Sequence, residues 1–153
     1  DRNGGRILPT LLASHAPLDL VVIMLGTNDL KPSICGTALW ASYGMRRLTQ
    51  IVRGHFGGLG EAIPQVLLVA PPHACDSDNA DMMAHFGGVA HVVGQSQLLA
   101  QHYRRQASDW STGFFDAASV AQASPLDGIH LDAANTRAIG EGIAPTVKSM
   151  LGL

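Results

Sequence analysis

The sequence predicts an α/β domain in which helices cover a parallel sheet. Val21 to Leu25 is an unbroken apolar run, β-branched at its start, opened by Asp19 and cut off by Gly26-Thr27-Asn28-Asp29. A short continuous run of this kind reads as a strand buried on both faces. Gln65 to Ala70 carries a second such run, stopped by Pro71-Pro72. Around these runs lie stretches with apolar residues at helical spacing. The resulting order is helix, strand, helix, strand, helix, strand, helix, which builds a layered fold with right-handed connections.

Asp1 to Gly5 is polar and glycine-rich, a loop. Ile7, Leu8, Leu11 and Leu12 recur at helical spacing and predict a short helix over about 6–14, with Pro9 in its first turn. His15 to Pro17 turns the chain into the strand at 19–25. Gly36 to Phe56 reads as a helix, because Leu39, Tyr43, Leu48, Ile51 and Val52 share one face. Arg46, Arg47 and Arg53 fall in its second half, favourable to the helix dipole, and Gly57-Gly58 and Gly60 end it. After the strand at 65–70, residues 73–95 form a long connection with a partly helical tail. It holds His73, Cys75, His85 and His91 and is the usual place for a substrate loop. A helix over about 95–107, a short strand at 112–116, a loop at 119–127 and a final helix from Ala133 to Leu151 complete the chain.

At 153 residues the default is a single domain, 1–153. Charged residues make up 14% against a usual ~25%, which points to extensive burial and to a homo-oligomer interface. The net charge of −2, without a basic stripe, argues against nucleic acid and anionic membranes as partners. No apolar run approaches the ~18 residues that span a bilayer, and the expectation is a cytoplasmic protein. Cys35 and Cys75 stand 40 apart and read as free thiols. His85 and His91 are six apart, neither i,i+3 nor i,i+4, and His73 and His102 add no recognised pattern, so no metal or cofactor is expected.

Two short motifs carry chemistry. Asn28 follows a buried strand, and in open α/β sheets ligands bind outside the carboxyl ends of the strands. It either closes a turn or holds its side-chain NH2 toward a substrate. Asp127-Gly128-Ile129-His130 places a carboxylate three residues before an imidazole, ahead of the last helix. One loop can then supply a base and the group that fixes its tautomer, although such a spacing also occurs in plain surface turns.

Together these motifs resemble blocks of the SGNH (GDSL) hydrolase family. Pro17 to Asp29, Val69 to Pro72, Phe115 to Ser119 and Asp127 to Leu131 look like its arylesterase/acyltransferase subgroup, in the right order and over nearly the whole chain. The resemblance implies a three-layer αβα sandwich with a flavodoxin-like parallel sheet. It also implies hydrolysis of short-chain acyl esters (aryl, alkyl or acetylated carbohydrate), with transfer to alcohols as a variant. His130 would be the general base and acid, Asp127 its orienting carboxylate and Asn28 an oxyanion donor. Gly26, Thr27 and Ile129 would sit at the substrate, Gly26 because a side chain there would crowd the oxyanion.

The family's Gly-Asp-Ser-Leu block, which carries the nucleophile, and the block that gives a glycine N–H are both absent. Asp76-Ser77 is in the wrong place, and Gly4 and Gly5 do not substitute. The expectation is that the chain is the C-terminal portion of the domain. An N-terminal fragment of about 60 residues, from the usual size of a β-α-β unit with its connection, would bring the serine and the strand beside 19–25. Without it that strand presents a flat apolar edge, prone to aggregation. The competing expectation is an inactive relative acting as a binding or assembly module.

Overall fold

Three parallel strands make the sheet of the computed structural model, which describes residues 3–153. They are β1 (Leu20–Ile23), β2 (Gln65–Ala70) and β3 (Gly113–Asp116), in the order β1-β2-β3. Val21 pairs with Val66 and Ile23 with Leu68, while Leu68 pairs with Phe114 and Ala70 with Asp116. The helices are α1 (Gly4–His15), α2 (Ala38–Leu59), α3 (Ala80–His85), α4 (Val89–Asp109) and α5 (Ala133–Leu151).

The period of two along β2 divides the interior. Val66, Leu68 and Ala70 face a core shared with Leu12 of α1, Met45, Val52 and Phe56 of α2, and Val92, Leu99 and Tyr103 of α4. Leu67 and Val69 face the opposite way, against Ile139, Ile143 and Val147 of α5. Helices therefore cover both faces of the sheet, and the expected three-layer αβα sandwich is the observed one. Parallel strands need both faces covered, which is why β2 has no polar residue after Gln65.

Several boundaries differ from the sequence reading, each for a local reason. Asn3 accepts from the Gly5 N–H at 2.9 Å and starts α1 two residues early, so Pro9 lies inside the helix rather than in its first turn. Gly57 and Gly58 continue α2. The stop is Gly60, whose φ of +71° puts it in the left-handed region and whose N–H caps the last turn. The connection at 73–95 contains a whole helix, α3, because Asn79 caps it by accepting from the Met82 N–H at 3.0 Å. Gly87 and Gly88 then break the chain at φ of +83° and +92°, and α4 begins at Val89, six residues before the expected start.

β1 is the largest correction. It spans four residues, and of the run at 19–25 only Ile23 among the apolar residues is fully buried. Val22 is 43%, Met24 40% and Leu25 49% exposed. The strand is at the edge of the sheet, and among the described residues nothing pairs with its outer side. Two-sided burial was the wrong inference from apolarity alone. No helix among the described residues is long and apolar enough to cross a membrane.

Candidate active site

The loops at the carboxyl ends of β1, β2 and β3 converge on one cleft of about 480 Å³. Its lining takes Thr27 and Asn28 from the turn after β1, Pro71 and Pro72 after β2, and Ile129 and His130 from the loop before α5. This is where an open parallel sheet offers a ligand site.

The Asp127–His130 pair is built within one turn. The His130 Nδ1–H donates to Asp127 Oδ2 at 2.5 Å, while Asp127 Oδ1 accepts from the backbone N–H of Ile129 at 3.0 Å and of His130 at 2.9 Å. A carboxylate held by three donors cannot rotate freely, and it fixes the proton on Nδ1, leaving Nε2 as the ring's acceptor. The His130 side chain is 72% exposed against 20% for Asp127, so the imidazole reaches out over the cleft and the carboxylate stays behind it. The His130 hydrogen bonds, first that of its ring and then that of its N–H, pull the Asp127 carboxyl down to about 2. Because this pKa lies below its usual 3.8, the tie should be complete above about pH 4 and fade as pH falls through 2. A carboxyl ¹³C titration of Asp127 checks this, with a midpoint near 2; a midpoint near 4 would mean the pair does not form.

The loop is sewn down from outside. Gly128 donates to the Ser124 carbonyl at 2.8 Å, accepts from the Cys75 N–H at 3.0 Å, and has a φ of +75°. A Cβ there would stand 2.4 Å from the Cys75 carbonyl oxygen. Glycine is therefore required between Asp127 and His130.

The turn after β1 is a single 3-10 helix, residues 28–30, begun when the Asp29 N–H bonds the Gly26 carbonyl at 3.0 Å. Asn28 is exposed, and among the described residues no partner takes up its side-chain amide. Gly26 is not among the described residues that line the cleft. Its backbone, at φ +119°, is pressed against Tyr103, whose hydroxyl oxygen lies 1.8 Å from where a Cβ would stand. Tyr103 is fully buried and donates to the Leu25 carbonyl at 2.8 Å, and burial raises its pKa well beyond the ordinary range. Asp29 serves the turn: its carbonyl accepts from the Gly36 N–H at 2.8 Å, and burial raises its carboxyl above the usual value.

One face of α4 fixes all this backbone. Besides Tyr103, the His91 Nε2–H donates to the Leu30 carbonyl at 3.1 Å, and Gln95 Oε1 accepts from the Ala38 N–H, the first of α2, at 2.9 Å. Ser96 Oγ accepts from the Ala74 N–H at 3.0 Å beyond β2. Sequence patterning did not single out Gln95, Ser96 or Tyr103, because a polar residue on a helix gives no sign of which distant loop it will meet.

Met24, Met82, Phe86 and Leu131 complete the apolar wall, with Lys31 and His85 as its polar members. Of the residues noted in the connection at 73–95, His85 lines the cleft, His91 ties the Leu30 carbonyl, and His73 lines a separate cavity with Cys75.

No protein-family model and no curated relative matches the chain. Solved structures do. The crystal structure of a carbohydrate acetylesterase family member from Sinorhizobium meliloti is 51% identical, with a TM-score of 0.94 over 100% of this chain and 71% of that one. A second carbohydrate acetylesterase from that organism is 36% identical (TM-score 0.88, 98% of this chain and 72% of that one). The native aryl esterase of M. smegmatis is 39% identical (TM-score 0.87, 96% and 68%). At this identity and coverage, the chain belongs to the SGNH/GDSL hydrolase family.

Proposed function

We propose that this cleft is the acid–base and oxyanion half of a serine esterase acting on short-chain acyl esters. The observation that carries the reading is the Asp127–His130 hydrogen bond, which leaves Nε2 free beside a cleft that Asn28 also lines. Nε2 removes the proton of the attacking serine hydroxyl, and the imidazolium that forms is stabilised by the Asp127 carboxylate. The Asn28 NH2 donates to the carbonyl oxygen as it becomes an oxyanion. Nε2 then returns the proton to the leaving alkoxide. Water, or a competing alcohol, repeats the sequence on the acyl-enzyme.

Among the described residues, Thr27 is the only hydroxyl-bearing one that lines the cleft, and neither serine nor cysteine does. The attacking serine is therefore assigned to an N-terminal fragment of the same protein, seated along the unpaired edge of β1. The exposed Val22, Met24 and Leu25 support that seat. Exposed Trp40 and Leu39 in the first turn of α2, with exposed Ile34 in the turn before it, support a homo-oligomer contact. The names of the structural relatives favour acetyl esters of carbohydrates or aryl alcohols as substrates.

In the native protein, a fluorophosphonate should add to one serine outside the cleft residues named here, and Asn28→Ala should lower kcat about 100- to 1000-fold with little change in KM. A pure KM effect would remove Asn28 from the oxyanion role. Absence of any adduct would favour the inactive binding module.

A further inference from the structure

Resting on that reading, we infer that the cleft is built for small esters that also carry a carboxylate, which Lys31 recognises. Lys31 lines the cleft three residues after Asn28, and its Nζ sits 4.8 Å from the centroid of the Phe86 ring, another wall residue. An aromatic face attracts an ammonium and positions it, but it leaves the charge in place. Lys31 takes part in neither of the ion pairs Arg105–Asp109 and Asp127–His130. Among the described residues, no Asp or Glu lines the cleft.

Asp127 is turned to His130 and two backbone N–H groups, and Asp29 faces the Cys35 thiol, with Sγ 3.9 Å from Oδ1. The cleft therefore carries one fixed cation and two imidazoles, His85 and His130, against walls of Met24, Met82 and Phe86. A site of this size takes a small molecule, with apolar area holding the carbon and a few polar groups setting its orientation. A substrate carboxylate meets a held ammonium partly shielded from water, where the attraction is stronger than in bulk solution.

The test compares para-acetoxybenzoate with its methyl ester, two esters that differ in one charge. Binding is read by ligand-detected NMR on the His130→Ala protein, where neither is turned over. The carboxylate should bind about three- to tenfold more tightly, in line with a partly exposed ion pair. That preference should shrink as salt rises, persist with Lys31→Arg and vanish with Lys31→Gln. Equal binding of the two probes, or a preference that survives Lys31→Gln, overturns the proposal. Ester turnover that survives His130→Ala overturns the assignment of the base instead, and leaves the binding ratio as the measure of Lys31.

Discussion

His130→Ala should abolish ester turnover in the native protein, by about 10⁴-fold or more in kcat, while the urea midpoint hardly moves. Both halves of this expectation come from the same geometry. Nε2 is the acceptor left free by the Asp127 bond, so without the ring no group takes the serine proton. The ring itself is mostly exposed, so its removal opens no cavity, and Asp127 keeps its two backbone donors. Added imidazole should restore part of the rate by occupying the vacated place. His85 is the other imidazole in the cleft, but no carboxylate holds it, and retention of more than a tenth of the activity would transfer the base to it.

The second large effect is on stability. Gly26→Ala should destabilise the fold by roughly 2–5 kcal/mol, a sum of overpacking and backbone strain. For a chain of this size that lowers Tm by on the order of 10 °C. The new methyl would lie 1.8 Å from the Tyr103 hydroxyl oxygen and 3.1 Å from its Cζ, at a φ of +119° that side chains disfavour. Tyr103 cannot retreat, because its ring is fully enclosed. Combining Gly26→Ala with Tyr103→Phe should recover part of the loss, since it removes the nearer atom and leaves the strain. Calorimetry of the four proteins in the cycle measures this. Single substitutions that add without recovery would show that the collision is not the cause.

What was legible in the sequence follows from range. Strand β2 announced itself by composition, because burial on both faces leaves no room for polar residues. The Asp127–His130 pair was legible because its members are three residues apart and need only one turn to meet. Asn28 was legible through its place after a strand. Nothing near Gly26 signals that Tyr103, 77 positions later, fills the space behind it. β1 misled because apolarity reports what a strand can be packed against. It does not report whether something is there. The start of α4 was misplaced because the residues that open it, Val89 to Gly94, lie beside two glycines and read as the partly helical tail of the connection.

The ties from α4 give the two parts of the site different origins in folding. Asp127 and His130 can find each other in a locally ordered segment, before distant parts of the chain have come together. The turn that presents Asn28 cannot. Its flanking carbonyls at Leu25 and Leu30 are held by Tyr103 and His91, 78 and 61 residues away, so it acquires its shape only when the whole of α4 has docked. Closing loops of that length is slow relative to forming a turn. The Asp127–His130 hydrogen bond can thus form early, while the seat of its loop against Cys75 waits for a contact distant in sequence. The turn that carries Asn28 is a late one, and it shares the cooperativity of the helix that secures it.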